Sequence, residues 1–117
     1  MGLDMDIVRV NINNIIDDFS FIENDDQKML IYWRNHRKLH EKMDDIYFEK
    51  GGYGIFNHKY IRITEDDIKE FYDIDRDEDK KNRIWLSDDD ENAEKDFLDI
   101  IKDNLKNGYA IYYTSSW

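Results

Sequence analysis

The sequence predicts a single α+β domain, with about three helices packed on a small, mostly antiparallel sheet. Three observations carry this. The 117 residues are enough for one domain and too few for two ordinary ones. Short runs rich in Ile, Val and aromatics, such as MDIVRVNI over 5–12 and YAIYYT over 109–114, have strand character. Two longer stretches, 25–49 and 88–106, repeat apolar residues at helical spacing and stop at glycines.

In chain order, residues 5–12 read as a strand, and 13–21 as a short helix or a continuation of it. Residues 25–49 read as the main helix, with Met29, Leu30, Trp33, Leu39, Met43, Ile46 and Tyr47 on its apolar face. Asn24 or Asp25 caps it, Asp25 and Asp26 suit its positive dipole end, and Gly51-Gly52 ends it. Residues 53–63 read as one strand, or as a hairpin turning at Asn57-His58. Thr64, with Asp67 three residues on, is a capping-box variant opening a short helix to about Tyr72. Residues 73–82 are polar and read as a loop, and Arg83 to Leu86 as a short strand. Ser87 caps a helix from Asp88 to Lys106 with Phe97, Leu98, Ile101 and Leu105 on its core stripe, and Gly108 stops it.

The absence of cysteine excludes a disulfide framework, a thiolate metal site and a cysteine nucleophile. The opening Met1-Gly2-Leu3-Asp4-Met5-Asp6 has acids where a signal peptide needs bases, and position 6 is not the Ser or Thr of a myristoylation motif. No apolar run reaches the ~20 residues of a membrane span. The expectation is a soluble, cytoplasmic protein.

Charge is distributed unevenly. The formal net charge is −11, and residues 64–104 hold 17 Asp or Glu against 7 Lys or Arg, a net of −10. Residues 28–42 run the other way, with Lys28, Arg34, Arg37, Lys38 and Lys42 against Glu41. A one-sign patch repels itself, so it invites a use, and steering a basic partner is one. A solvated acidic face without a role is the plainer alternative. The candidate protein-binding residues are Asp66, Asp67, Asp73, Asp75, Asp77, Glu78, Asp79, Asp88, Asp89, Asp90, Glu91, Asp96, Asp99 and Asp103. An extended backbone over 73–79 would set Asp73, Asp75, Asp77 and Asp79 on one side. A helix would set Asp96, Asp99 and Asp103 along one face opposite the core stripe.

No catalytic or metal fingerprint appears. Asp73-x-Asp75-x-Asp77 opens like a calcium loop, but Glu78 and Ile84 stand where Gly and Glu are needed. His36 and His40 are one helical turn apart, yet Arg37 follows the first where a zincin needs Glu; they read as surface histidines among bases. The hydroxyls of Thr114, Ser115 and Ser116 lack a nucleophile elbow, and no glycine motif precedes a helix as a phosphate loop requires. The reading is non-enzymatic and without cofactor.

The size, the lack of cysteine, the acidic second half and the α+β pattern resemble the Neisseria DNA-mimic proteins that bind the histone-like protein HU. The resemblance implies a nucleoid-associated monomer that covers the DNA-binding surface of a basic protein and does not itself bind nucleic acid. The basic stretch at 28–42 departs from a uniformly acidic mimic and limits mimicry to one face. Tyr32-Trp33-Arg34, Leu39-His40, Met43, Phe56-Asn57, Ile63-Thr64-Glu65-Asp66 and Tyr112-Tyr113 with Trp117 are also similar to small uncharacterised phage-borne proteins, over about residues 32–117. An immunity or antitoxin-type inhibitor of a basic toxin, or a phage-encoded nuclease inhibitor, needs the same acidic face.

Overall fold

Met5 and Ile7 alternate with Asp4 and Asp6, which gives the first strand, β1 (Asp4–Asn11), one apolar face to bury. The computed structural model describes residues 3–74 and 76–117, with the backbone alone for Arg76, Glu78, Asp89 and Asp90. After β1 and a 3-10 turn at Ile12–Asn14 come β2 (Ile15–Asp17), β3 (Ser20–Phe21), β4 (Lys28–Arg34), α1 (Arg37–Glu49) and β5 (Tyr60–Ile63). A 3-10 helix (Glu65–Phe71), α2 (Arg76–Asn82), β6 (Arg83–Leu86), α3 (Asp89–Asn92), α4 (Phe97–Lys106) and β7 (Tyr109–Ser116) complete the chain.

Five strands form one antiparallel sheet in the order β5-β7-β1-β4-β6, and β2 and β3 form a separate hairpin. β1 and β7 pair without a slip from Asp4↔Ser116 to Asn11↔Tyr109. Against β4 the register shifts at Leu30, so Leu30 and Ile31 both reach the main core. That core lies between one sheet face and a helical layer. Met5, Ile31, Trp33, Ile61, Ile111 and Tyr113 meet Leu39, Met43, Ile46, Phe71, Phe97 and Ile101 there. Each fully buried Ile or Leu contributes about 1.5–3 kcal/mol. A smaller core on the opposite face joins Val8, Val10, Phe21, Ala110 and Tyr112 under the hairpin. The Tyr112 hydroxyl pins that hairpin by donating to the carbonyls of Asp17 (2.7 Å) and Ser20 (3.1 Å).

The α+β class is as read from the sequence, but several elements differ, among them the strand expected over 53–63, which is confined to Tyr60–Ile63. The helix expected over 25–49 begins only at Arg37, because Met29-Leu30-Ile31-Tyr32-Trp33 has no polar break and is bulky enough to serve both sheet faces. Asn35 separates strand from helix. It adopts φ 63°, and its side-chain Oδ1 accepts from Leu3 N at 2.8 Å. Asn24 instead builds a local turn, accepting from Asp26 N at 2.9 Å. The 13–21 segment is a 3-10 turn and a hairpin. The long helix expected over 88–106 is broken into α3 and α4, with Asp88 at φ 51° and Asp96 as the N-cap of α4.

The polar segment expected as a loop carries α2, for a reason invisible in its composition. Asp79 is completely buried. Its carboxylate accepts from Trp33 Nε1 (2.6 Å), Arg83 Nη2 (2.9 Å) and Phe97 N (3.2 Å), joining β4, β6 and α4 to α2. Removing one partner of a buried ion pair typically costs about 3–5 kcal/mol, because the other is left desolvated. Asp79→Ala is therefore expected to lower the urea unfolding free energy by about that amount. A loss below about 1 kcal/mol would mean that this junction does not hold the domain together.

Candidate functional site

The acidic segment folds into the helical layer, and its carboxylates divide into three groups. The first group is consumed by the fold. Asp67 accepts from Thr64 N (2.8 Å) and Thr64 Oγ1 (2.9 Å), as the capping-box reading expects, and also from Lys50 Nζ at 2.6 Å. Asp79 is the buried junction described above. Asp96 is only 4 % exposed, and its Oδ1 accepts from Asp99 N at 2.9 Å to cap α4. Asp79 and Asp96 therefore do not belong to a surface patch, and Asp67 is largely enclosed. The expected row of Asp73, Asp75, Asp77 and Asp79 also fails, because Arg76–Asn82 is helical rather than extended.

The second group is exposed but paired. Asp73 meets Lys42 (3.2 Å), Asp88 meets Lys28 (3.0 Å) and Asp103 meets Lys95 (2.9 Å). Hydrogen bonding to Lys42 holds the Asp73 carboxyl below its ordinary range, and Lys28 does the same to Asp88. Asp103 correspondingly raises Lys95. Exposed pairs of this kind are screened by solvent, add little to stability and leave the carboxylates accessible.

The third group, Asp66, Glu91 and Asp99, is exposed, as are Glu65, Glu70 and Glu94 nearby; Asp77 is exposed on α2 but interacts with a neighbour. Asp75 lies outside the described residues; Glu78 sits on α2, and Asp89 and Asp90 on α3. The 3-10 helix packs through Ile68 and Phe71, and α4 through Phe97, Leu98, Ile100 and Ile101, onto the same core. Their outward sides therefore share one solvent face of the helical layer. The Lys80 ammonium ties α2 to the turn before α4, donating to the Glu94 carbonyl at 2.9 Å.

The basic stretch at 28–42 is dispersed by the strand–helix break. Lys28 and Lys42 are spent on Asp88 and Asp73, while Arg34 lies 3.9 Å from Asp4. The two histidines read as surface residues are enclosed instead. His36 is fully buried beside Trp33, with ring centroids 6.4 Å apart. His40 is half-buried among Phe56, Tyr113 and Trp117, with Nδ1 2.8 Å from the Tyr113 hydroxyl. Among the described residues no group of three His, Asp, Glu or Cys side chains is placed to hold a metal ion, and no helix is long and apolar enough to cross a membrane.

The sequence reading missed Asp4 and Asp6, which share the outer sheet face. Tyr32 donates its hydroxyl to Asp4 Oδ1 at 2.6 Å, and burial, helped by Asp4, raises the Asp6 carboxyl. Their alternation with Met5 and Ile7 was the available signal. Comparison with protein-family models, with curated proteins and with solved structures finds no match to this chain.

Burial lowers the His40 imidazole from its ordinary 6.5, while Asp44 and Glu41 pull it back up. The unfolded chain therefore binds a proton that the folded chain refuses, and this contribution to stability is complete above 6.5 and lost as the pH falls below it. Unfolding free energy is expected to drop as the pH falls below about 6.5, with a smaller drop for His40→Gln. Equal slopes for the two proteins would contradict this.

Proposed function

We propose that this chain is a non-catalytic binding protein whose helical layer engages a basic partner, acting as a mimic of nucleic-acid charge. The observation that carries the reading is the shared solvent face. After the fold has taken Asp67, Asp79 and Asp96, the exposed carboxylates Glu65, Asp66, Glu70 and Asp99 remain on the 3-10 helix and α4, with the exposed lysines Lys69, Lys102 and Lys106 on the same elements. Fixed carboxylates on packed elements offer a basic groove what phosphates offer it: negative charge that releases the groove's counterions on contact. The partner class is a DNA-binding protein, with the histone-like protein HU as the first candidate, and the chain competes with DNA for it. Glu65, Asp66, Glu70 and Asp99 are the residues best placed to act, since no ion pair among the described residues uses them.

Purified HU and a fluorescent DNA duplex provide the test. The chain is expected to displace the duplex at low salt, and its affinity for HU should fall steeply as salt rises. The variant E65Q/D66N/E70Q/D99N should lose at least tenfold in affinity with its far-UV CD unchanged. Displacement that ignores salt, or a variant as effective as the parent, would count against this face. Failure on HU with tight capture of a single nuclease toxin would move the assignment to an immunity-type inhibitor.

A further inference from the structure

On the corner where β1, α1 and the end of β7 meet, Leu3, Arg37, His40 and Trp117 line an open cleft of about 200 Å³. Its walls are two rings. The His40 imidazole and the Trp117 indole stand at 71° with centroids 5.0 Å apart, so they form a corner rather than a closed stack. Behind His40, the Phe56 ring lies parallel, 5.9 Å away, which fixes the imidazole plane. Leu3 adds an apolar side chain, and Trp117 keeps 42 % of its surface exposed.

The polar groups are equally ordered. His40 turns Nδ1 to the Tyr113 hydroxyl at 2.8 Å, so Nε2 is the ring nitrogen left for the cleft. Arg37 precedes His40 by three residues and so lies on the same side of α1. Its guanidinium is exposed, and no ion pair among the described residues involves it. Thus on a chain of net charge −11, this corner offers a cation beside an aromatic angle.

We propose that this cleft is a binding site for a small aromatic carboxylate, whose ring fills the His40–Trp117 corner and whose carboxylate meets Arg37. Size narrows the ligand. Clefts for drug-sized ligands run from about 300 to 1,000 Å³, so this one suits a single ring and is too small to enclose a nucleotide. Chemistry narrows it further, because a planar guanidinium fork matches a carboxylate's two oxygens. The site uses none of the residues of the proposed partner-binding face, so either can fail alone.

The test is a titration followed by NMR on the Trp117 indole N–H and the His40 ring, with benzoate, benzyl alcohol, acetate and adenosine monophosphate as probes. Benzoate is expected to saturate both signals with a Kd on the order of 1 mM or tighter, a range that a ligand of this size can reach. Benzyl alcohol and acetate, each lacking one half of the recognition, should bind at least roughly tenfold more weakly. Arg37→Gln should weaken benzoate roughly tenfold, as loss of a charge-assisted contact does, while leaving far-UV CD unchanged. Trp117→Ala should weaken benzoate and benzyl alcohol alike. Absence of saturation by benzoate, equal binding of benzyl alcohol or acetate, preference for the nucleotide, or an unaffected Arg37→Gln would each overturn the assignment.

Discussion

A carboxylate with no access to water holds the two layers of this protein in place. Desolvating Asp79 costs several kcal/mol, and the structure offsets that with three donors from three elements: an indole, a guanidinium and a backbone amide. Each donor fixes something different. Trp33 is fully buried in β4, so its bond sets where α2 lies over the sheet. Arg83 anchors the short edge strand β6, and also reaches the Lys95 carbonyl at 3.1 Å. The Phe97 amide belongs to the first turn of α4, where helix donors lack an internal partner. One side chain of an almost uniformly polar segment is thereby drawn into the interior.

The same junction explains which parts of the fold were legible in the residues. Elements governed by local rules were readable: β1 and β7 by their strand-rich composition, the 3-10 helix by Thr64 and Asp67, and the end of α4 by Gly108, which sits at φ 87°. Those governed by distant partners were not. Nothing local in 76–82 announces a helix, since the side chain buried there among the described residues, Asp79, answers to Trp33, 46 positions earlier. The break before α4 was legible in principle, because Asp96 and Asp99 stand three apart at the start of an apolar run, a capping pattern that went unused. Continuous helical periodicity through Trp33 misled because a strand buried on both faces also shows apolar residues at every spacing.

The candidate site shows the same division. Asp88, Asp73 and Asp67 find their cations at Lys28, Lys42 and Lys50, far away in sequence. Charge that looks segregated along the chain is therefore partly recombined across the fold, and the basic stretch at 28–42 acts largely as counter-charge to the acidic half. The acids consumed this way are distinguished from the rest by position. They lie where the 3-10 helix, α2 and α3 adjoin α1 and β4, whereas Asp66, Asp99 and their neighbours point outward from the layer.

That distribution is the physical case for reading the outward acids as functional. If carboxylates served only to keep the surface solvated, mixed signs would do it with less self-repulsion. Pairing within the fold shows that bases are available to this chain and are placed where they stabilise junctions. Yet residues 64–104 carry a net of −10, of which ion pairs among the described residues match three charges with lysines outside the segment. The repulsion is tolerable only because exposed charges are screened over about 10 Å at ordinary salt, and it is relieved when a cationic surface docks. Such relief makes association strongest where salt is lowest. The Arg37 guanidinium would gain nothing from a cationic macromolecule, since it is itself a cation. The two surfaces therefore call for ligands of opposite sign.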